Sequence, residues 1–286
     1  MVPPVDSGGV VPIRRRRLAL LFGLISQMGF TAADPSIHVN VLDWNIDRGY
    51  NLDKIADVIR SQKTDIAILQ EVDLNARRTA RADVAKELAQ RLGFQYAFGK
   101  AWQEVNQGSS DNPAYQGQAT LSRFKILNQR VVNFSHQTGF WKPQPYLPSW
   151  FPQRRLGGRM AVVTELDASG KRLVIYNLHL ESRGPGYNRF EQLKETLADI
   201  KSYPEGTSII LAGDLNTKYF PSRFVALLEA AGFHDCFDGH RQRTHKIIGA
   251  LDWIFIRGPI RCEDTIVLHH TAGSDHFPVT TRIVWP

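Results

Sequence analysis

The sequence predicts an α/β (α+β) domain built from two packed mixed β-sheets with helices on their outer faces. Strand-like and helix-like segments alternate through the first third of the chain, and strand pairs crowd the middle. No repeat, low-complexity tract or Gly/Ser linker divides 36–286, which is read as one domain. Each sheet or helix must bury its apolar side against another layer, so this order points to sheets packed face to face and covered by helices. A chain of 286 residues with 43% hydrophobic and 22% charged residues suits an ordinary globular protein with a sizeable core.

The N-terminal end reads differently. Arg14 to Arg17 precede LALLFGLISQMGF and then TAAD, the order of basic region, apolar region and small-residue cleavage site in an export signal. The apolar run is shorter than the roughly 20 residues a bilayer requires. Residues 1–33 are therefore expected to be an export signal that sends the protein to the periplasm or outside the cell. The alternatives are an uncleaved anchor, which would tether it to the membrane, and a buried first helix. No other transmembrane segment is expected. Cleavage near Ala33 removes Arg14 to Arg17 and Asp6, lowering the net charge from +7 to roughly +4. That balance suits an anionic substrate without arguing for nucleic acid.

From there the elements follow in order. IHVNVLDWNI (37–46) is strand-like, and NLDKIADVIRSQ (51–62) has helical spacing with Asn51 as its cap. DIAILQEV (65–72) is a strand, 81–93 a helix closed by glycine, and FQYAFGK a strand. GQATLS and KILNQRVVNF form an expected strand pair across a short turn, while RMAVVTEL and RLVIYNLHL flank DASGK, a hairpin signal. A helix over 188–202, the strand TSIILAGDLN and a helix with Pro221 in its first turn come next. ALDWIFIRG, RCEDTIVLHH and FPVTTRIVW supply the last strands.

Two features stand apart. The stretch 134–158 is rich in prolines and aromatics and suits neither strand nor helix, so it is either a functional loop or a surface flap packed on its own domain. The two cysteines, Cys236 and Cys262, sit beside apolar sequence and are expected to be free thiols, although export would permit a disulfide.

Polar residues gather where strands stop. WNID offers Asn45 and Asp47, LQEVD offers Glu71, and NLHLES offers His179. AGDLN offers Asp214 and Asn216, ALDW offers Asp252, and SDH offers Asp275 and His276. A buried carboxylate is costly unless paired or metal-bound, and Asp252 lies inside an apolar run. Phosphoester hydrolysis uses such a set. A hard cation such as Mg²⁺ takes carboxylate and amide oxygens and neutralises phosphate charge. A carboxylate can orient water, and an acid-held histidine can brace the phosphate or protonate the leaving oxygen. Asp214 and Asn216 are two apart, so both can face one side of an extended segment.

In this order, WNID with its following glycine, LQEVD, GQATLSRF, NLHLES with Arg189 and Gln192 in the next helix, ILAGDLNT, LDWIF and SDHFPV resemble the endonuclease/exonuclease/phosphatase superfamily. Its members include deoxyribonuclease I, abasic-site endonucleases, sphingomyelinases, inositol-polyphosphate 5-phosphatases and poly(A) deadenylases. The resemblance runs over about 38–281. It implies a four-layer sandwich with the site where the loops of the two sheets converge. It implies Mg²⁺, with Mn²⁺ as a substitute, held by Glu71 with Asn45, Asp47 and Asp275 nearby. It gives Asp214 the nucleophilic water, Asn216 a phosphate contact, Asp252 the tautomer of His276, and His276 a phosphate oxygen. His179 matches the second catalytic histidine of sphingomyelinases and deoxyribonuclease I. Arg159, in GGRMAVV, is either a phosphate-facing residue or an exposed strand-end arginine.

Departures narrow the expectation. Abasic-site endonucleases lack a histidine at the position of His179, and the 5-phosphatases follow their GDxN block with an aromatic and an arginine, where this chain has Thr217-Lys218. The expected activity is that of an exported, monomeric, metal-dependent phosphodiesterase acting on nucleic acid or a phospholipid headgroup. A phosphomonoesterase of an inositol or sugar phosphate is the alternative. An inactive binding domain is a third reading, disfavoured because none of the residues named above is lost.

Overall fold

Val39 and Val41 lie on one side of the first strand and Leu42, Trp44 and Ile46 on the other, the period-two alternation of an extended chain buried on both faces. This computed structural model describes Met1 and residues 37–142, 154–184, 186–218 and 221–286; the expected export segment 1–33 lies outside them. The described residues from 37 onward belong to one compact unit, Ser36–Pro286.

Strand β1 (His38–Arg48) leads through α1 (Leu52–Ser61) to β2 (Ile66–Leu74), which runs parallel to it. After α2 (Val84–Leu92) come β3 (Gln95–Glu104) and β4 (Tyr115–Ser122), then β5 (Lys125–Asn133), the short β6 (Arg155–Gly157), β7 (Met160–Ala168) and β8 (Lys171–His179). The chain continues through α3 (Tyr187–Ile200), β9 (Ser208–Asp214), α4 (Pro221–Ala230), the two-residue β10 (His234–Asp235), β11 (Asp252–Arg257), β12 (Arg261–Val267) and β13 (Val279–Val284). A seven-stranded sheet has the order β12-β13-β1-β2-β4-β3-β6, and a six-stranded sheet the order β10-β11-β9-β8-β7-β5. Both are mixed, with β1–β2 and β8–β9 parallel and the other pairs antiparallel.

Helices α1 and α2 cover the first sheet by burying Ile55, Ile59, Val84 and Leu88 against Leu42, Trp44 and Leu69. The opposite face of β1 and β2 presents Val39, Val41, Ile66 and Ile68 to a larger cluster. That cluster contains strands of the second sheet and Leu193, Ile200, Phe224 and Leu228 from α3 and α4. The result is the four-layer sandwich, in which each fully buried Leu or Ile contributes roughly 1.5–3 kcal/mol. Among the described residues no helix is long and apolar enough to cross a membrane.

Local chemistry explains most element ends. Asp83 caps α2 by accepting from the Lys86 N–H at 3.0 Å, and Gly93 closes it at φ +70°. The Ser169-Gly170 turn joins β7 and β8 as the expected hairpin.

One expectation holds in part and two fail. Asn51 stands at the N-cap of α1 and its carbonyl accepts from the Ile55 N–H at 2.9 Å, but its side chain makes no cap bond, its amide donating to the Gly273 carbonyl of the loop before β13 at 3.3 Å. The segments 117–122 and 125–134 do not pair. β4 binds β2 and β3, β5 binds β7, and the short turn carries the chain from one sheet to the other. Cys236 and Cys262 form a disulfide, since β10 and β12 bring their Cα atoms to 5.5 Å, within bridging range.

The stretch 134–158 is not wholly irregular as expected: Gly139–Trp141 form one 3₁₀ turn with Trp141 buried and Arg155–Gly157 pair with β3 as β6, while 143–153, with Tyr146, Trp150 and Phe151, lie outside the described residues.

Candidate active site

The first sheet delivers its polar residues through two irregularities. The register of β1 on β2 shifts between Asn45 and Arg48, and that of β2 on β4 between Leu69 and Val72. Asp47, Arg48 and Glu71 accordingly take φ values of +42°, +68° and +52°. Non-glycine residues rarely adopt this region, and bulges of this kind re-aim side chains at strand ends. Arg48 pairs with Asp47 and reaches within 3.8 Å of a Glu71 oxygen. Burial raises the Asp47 pKa, with Arg48 opposing and Asp275 and Glu71 adding to the rise, so these acids share one electrostatic neighbourhood.

The second sheet supplies its residues by register alone. His179, Asp214 and Asp252 are direct partners across β8, β9 and β11, forming one row. Asp214 Oδ2 is the hub. Asn45 Nδ2 donates to it at 3.2 Å, His179 Nε2 lies 3.5 Å away and His276 Nε2 3.8 Å away. Asp214 Oδ1 accepts from the Asn216 N–H at 2.9 Å. His276 Nδ1 meets both oxygens of Asp252, at 2.8 and 3.0 Å. The chain around His276 is pinned from β1: Ser274 Oγ donates to the Asn45 carbonyl at 2.7 Å, and Trp44 Nε1 to the His276 carbonyl at 3.0 Å.

Burial and charge then separate the histidines. Burial pulls the His276 pKa down, but the Asp252 carboxylate, followed by Asp214 and Asp275, outweighs it and lifts the group to about 10. Burial, followed by the charges of Arg159 and His276, holds His179 well below its ordinary value. His276 is thus an imidazolium at neutral pH and His179 a neutral ring. Burial and the Asp252 charge push Asp214 up to about 7, against the pull of His276.

Arg159 is not an exposed strand-end residue. It is buried, with its guanidinium 4.9 Å from the Trp102 ring and 5.0 Å from the Trp141 ring. Its Nη2 donates to Ser182 Oγ at 3.1 Å, whereas Nε and Nη1 have no hydrogen-bond partner among the described residues. Burial lowers its pKa to about 10, with Glu181, Glu71 and Asp214 opposing. Glu181 ties the loop 138–141 to the end of β8, accepting from Trp141 Nε1 at 2.8 Å and Thr138 Oγ1 at 2.9 Å.

Asn45, His179, Asp214, Asn216, Asp252 and His276 therefore assemble as one contact network, and Asp47, Glu71 and Asp275 form its acidic flank. Asn216 uses its Nδ2 on the Leu180 carbonyl at 3.0 Å, bracing the loop after β9.

Several residues escaped the sequence reading. Asp43 is fully buried beneath the site. Its Oδ1 accepts from Gln70 Nε2 at 2.9 Å, its Oδ2 has no hydrogen-bond partner among the described residues, and burial plus the Asp252 charge raise its pKa well above the ordinary value. Gln70 also donates to Asn177 Oδ1 at 3.0 Å, so a polar layer joins the sheets below the hub. Asp43 carries the same signal as Asp252, a carboxylate in an apolar strand. His245, whose ring stands 4.7 Å from that of His276, carries no local signal.

Among the described residues two side-chain groups have the geometry to hold a cation: His245, Asp275 and His276, and Asp214, Asp252 and His276, each with ligand atoms within 4.8 Å of one another. Glu71, Asn45 and Asp47 fall in neither. They are oxygen donors of the kind a hard cation prefers, and the ion pair of Glu71 to Arg48, at 3.8 Å, is longer than a hydrogen bond.

Two packed mixed sheets with an Asp–His pair and converging acids at their shared mouth define a sandwich-fold hydrolase. The chain belongs to the Endonuclease/Exonuclease/phosphatase family, whose model matches residues 44–276 and whose members are phosphoester hydrolases. Among solved structures it is similar to an endonuclease/exonuclease/phosphatase from Beutenbergia cavernae (18% identity, 87% of this chain and 72% of that one, TM-score 0.67). It is also similar to a humanized D. rerio TDP2 (20%, 87% and 99%, TM-score 0.61). A third is the Bacteroides thetaiotaomicron mannosyl-6-phosphatase Bt3783 (16%, 86% and 99%, TM-score 0.59). No match was found among curated proteins.

Proposed function

We propose that the protein is a divalent-metal-dependent phosphodiesterase acting on nucleic acid or a phospholipid headgroup. The observation that carries the reading is the convergence of Asn45, His179 and His276 on Asp214 Oδ2, with His276 held by Asp252. Glu71, with Asn45, Asp47 and Asp275, would hold Mg²⁺ or Mn²⁺, which supplies charge neutralisation at the phosphate. Asp214, with its raised pKa, orients the attacking water and takes its proton as the new P–O bond forms and the bond to the leaving oxygen breaks, the leaving oxygen taking a proton from solvent. The His276 imidazolium donates from Nε2 to a non-bridging phosphate oxygen while Asp252 fixes the ring. His179 stays neutral and offers Nε2–H to the same region. The unpartnered Nε and Nη1 of Arg159 provide donors for a further anionic oxygen.

Similarity to a D. rerio TDP2 solved with a single-strand DNA product supports a nucleic-acid substrate, and similarity to a mannosyl-6-phosphatase supports the monoesterase alternative. The Cys236–Cys262 disulfide supports an oxidising compartment and hence export through 1–33.

The test is a panel assay with Mg²⁺ and Mn²⁺ on DNA, RNA, sphingomyelin, inositol and sugar phosphates and a bis-aryl phosphate. Diester turnover in the wild type, lost by at least about a hundredfold in Glu71→Ala and His276→Ala, is the expected result. Turnover of monoesters alone would favour the second reading. Unchanged turnover in either variant would overturn the site, and no turnover on any substrate would favour the inactive binding domain.

A further inference from the structure

His245 belongs to none of the sequence blocks, yet it is built into the site. Its neighbours run beside the segment that carries His276: the Phe277 N–H donates to the Thr244 carbonyl at 2.7 Å, and the Lys246 N–H to the Asp275 carbonyl at 2.9 Å. His245 and His276 are bridge partners, and their rings meet edge to face at 90°. The His245 ring is buried, and its Nδ1 accepts from two backbone N–H groups, those of Ile247 and Ile248, both at 3.0 Å. A ring nitrogen that accepts hydrogen bonds keeps its lone pair, so the proton of the neutral ring sits on Nε2. That Nε2 stands 3.6 Å from Asp275 Oδ2.

This tautomer decides what the cluster of His245, Asp275 and His276 can do. A nitrogen carrying a proton is a donor and not a metal ligand. Asp275 is more than half exposed, and the Ser274 hydroxyl 3.2 Å away places its single proton on the Asn45 carbonyl, so that contact does not hold the carboxylate in one rotamer. The Asp275 charge also acts on Asp47, on the acidic flank beside Glu71.

We propose that His245 is a positioning residue whose Nε2–H, at 3.6 Å still longer than a hydrogen bond, closes on Asp275 Oδ2 and turns that carboxylate toward the cation site beside Glu71. The proposal rests on the metal-dependent reading above. Groups that orient a metal-binding carboxylate commonly change metal affinity by about 10–100-fold when removed.

Two variants separate positioning from mere support of the loop. His245→Asn puts an amide oxygen near the place of Nδ1, keeping an acceptor for Ile247 and Ile248 while deleting the distal donor. His245→Gln reaches the place of Nε2 with an amide N–H. Mn²⁺ binding to the substrate-free protein is followed by electron paramagnetic resonance, and bis-aryl phosphate hydrolysis is followed against Mn²⁺ concentration. His245→Asn is expected to raise the Mn²⁺ dissociation constant about tenfold, with activity falling at low Mn²⁺ and largely recovering at high Mn²⁺. His245→Gln should restore most of the affinity. Unaltered Mn²⁺ affinity in His245→Asn, equal losses in both variants, or no Mn²⁺ binding by the wild type would overturn the proposal. If Mn²⁺ binds and His245→Asn weakens it while no phosphoester is hydrolysed, the positioning role stands and the hydrolase reading fails.

Discussion

Asp43 and Asp252 are both carboxylates in apolar strands, but the protein treats them differently. Asp252 has a histidine within 2.8 Å, whereas one oxygen of Asp43 has no hydrogen-bond partner among the described residues. The folded-state pKa of Asp43 is raised above its ordinary 3.8, so the stability it contributes is present below that value and is lost as pH rises through the folded pKa. Asp43→Asn keeps an acceptor for Gln70 and removes the titration. Its melting temperature should fall less than that of the wild type as pH is raised above 3.8, and parallel melting curves would refute this. Catalysis should show its own profile. On the proposed mechanism Asp214, near 7, acts ionised and His276, near 10, acts charged, so kcat should rise through an acid limb and fall through an alkaline limb near 10. A cation beside Glu71 favours the Asp214 carboxylate and moves the acid limb to or below 7. A rate–pH profile without an alkaline limb would contradict the role of His276. Asp252 was legible because its apolar surroundings demanded a partner. His245 was not, because its position depends on a bridge to a segment far along the chain.

At the level of elements, strand ends place the chemistry by two means, bulges in β1 and β2 and plain register in β8, β9 and β11. The register depends on Gly213. It sits at φ +135°, and a methyl group there would overlap the Leu178 carbonyl oxygen on the parallel neighbour β8. Gly213→Ala should therefore cost roughly 1–3 kcal/mol and shift Asp214 out of line with His179. Denaturant titration reads the first effect and kcat the second; a variant unchanged in both would show that the row tolerates slack. The individual strands were legible from alternation and turn residues. The parting of β4 and β5 was not, because a two-residue turn is compatible with a hairpin and with a step between layers. Which one forms depends on which sheet edge remains open for β5, and β7 provides it.

Across the whole molecule, the disulfide binds one sheet to the other. Cys236 follows β10 at the edge of the six-stranded sheet, and Cys262 lies in β12 at the edge of the seven-stranded sheet. Closing a loop of 26 residues stabilises the fold by about 3.5 kcal/mol on the chain-entropy estimate. Cys236→Ser with Cys262→Ser should lower the melting temperature by several degrees, roughly 2–4 °C per kcal/mol for a chain of this size. Turnover of the folded protein should be retained, because none of the active-site contacts involves either cysteine. A variant that melts like the wild type would mean that the bridge constrains nothing the sheets do not already fix. The layered architecture was legible from element order, but the pairing of these cysteines was not, because it depends on how two sheet edges align.

The hub at Asp214 also crosses that divide. Asn45 comes from one sheet and Asp214 from the other, and His276, on the loop before β13, closes on Asp252 of the opposite sheet. Each of these two pairs therefore takes one member from each half of the sandwich. A chain in which only the six-stranded sheet has formed holds the His179–Asp214–Asp252 row but neither Asn45 nor His276, so the onset of turnover during refolding reports the moment the two halves mate.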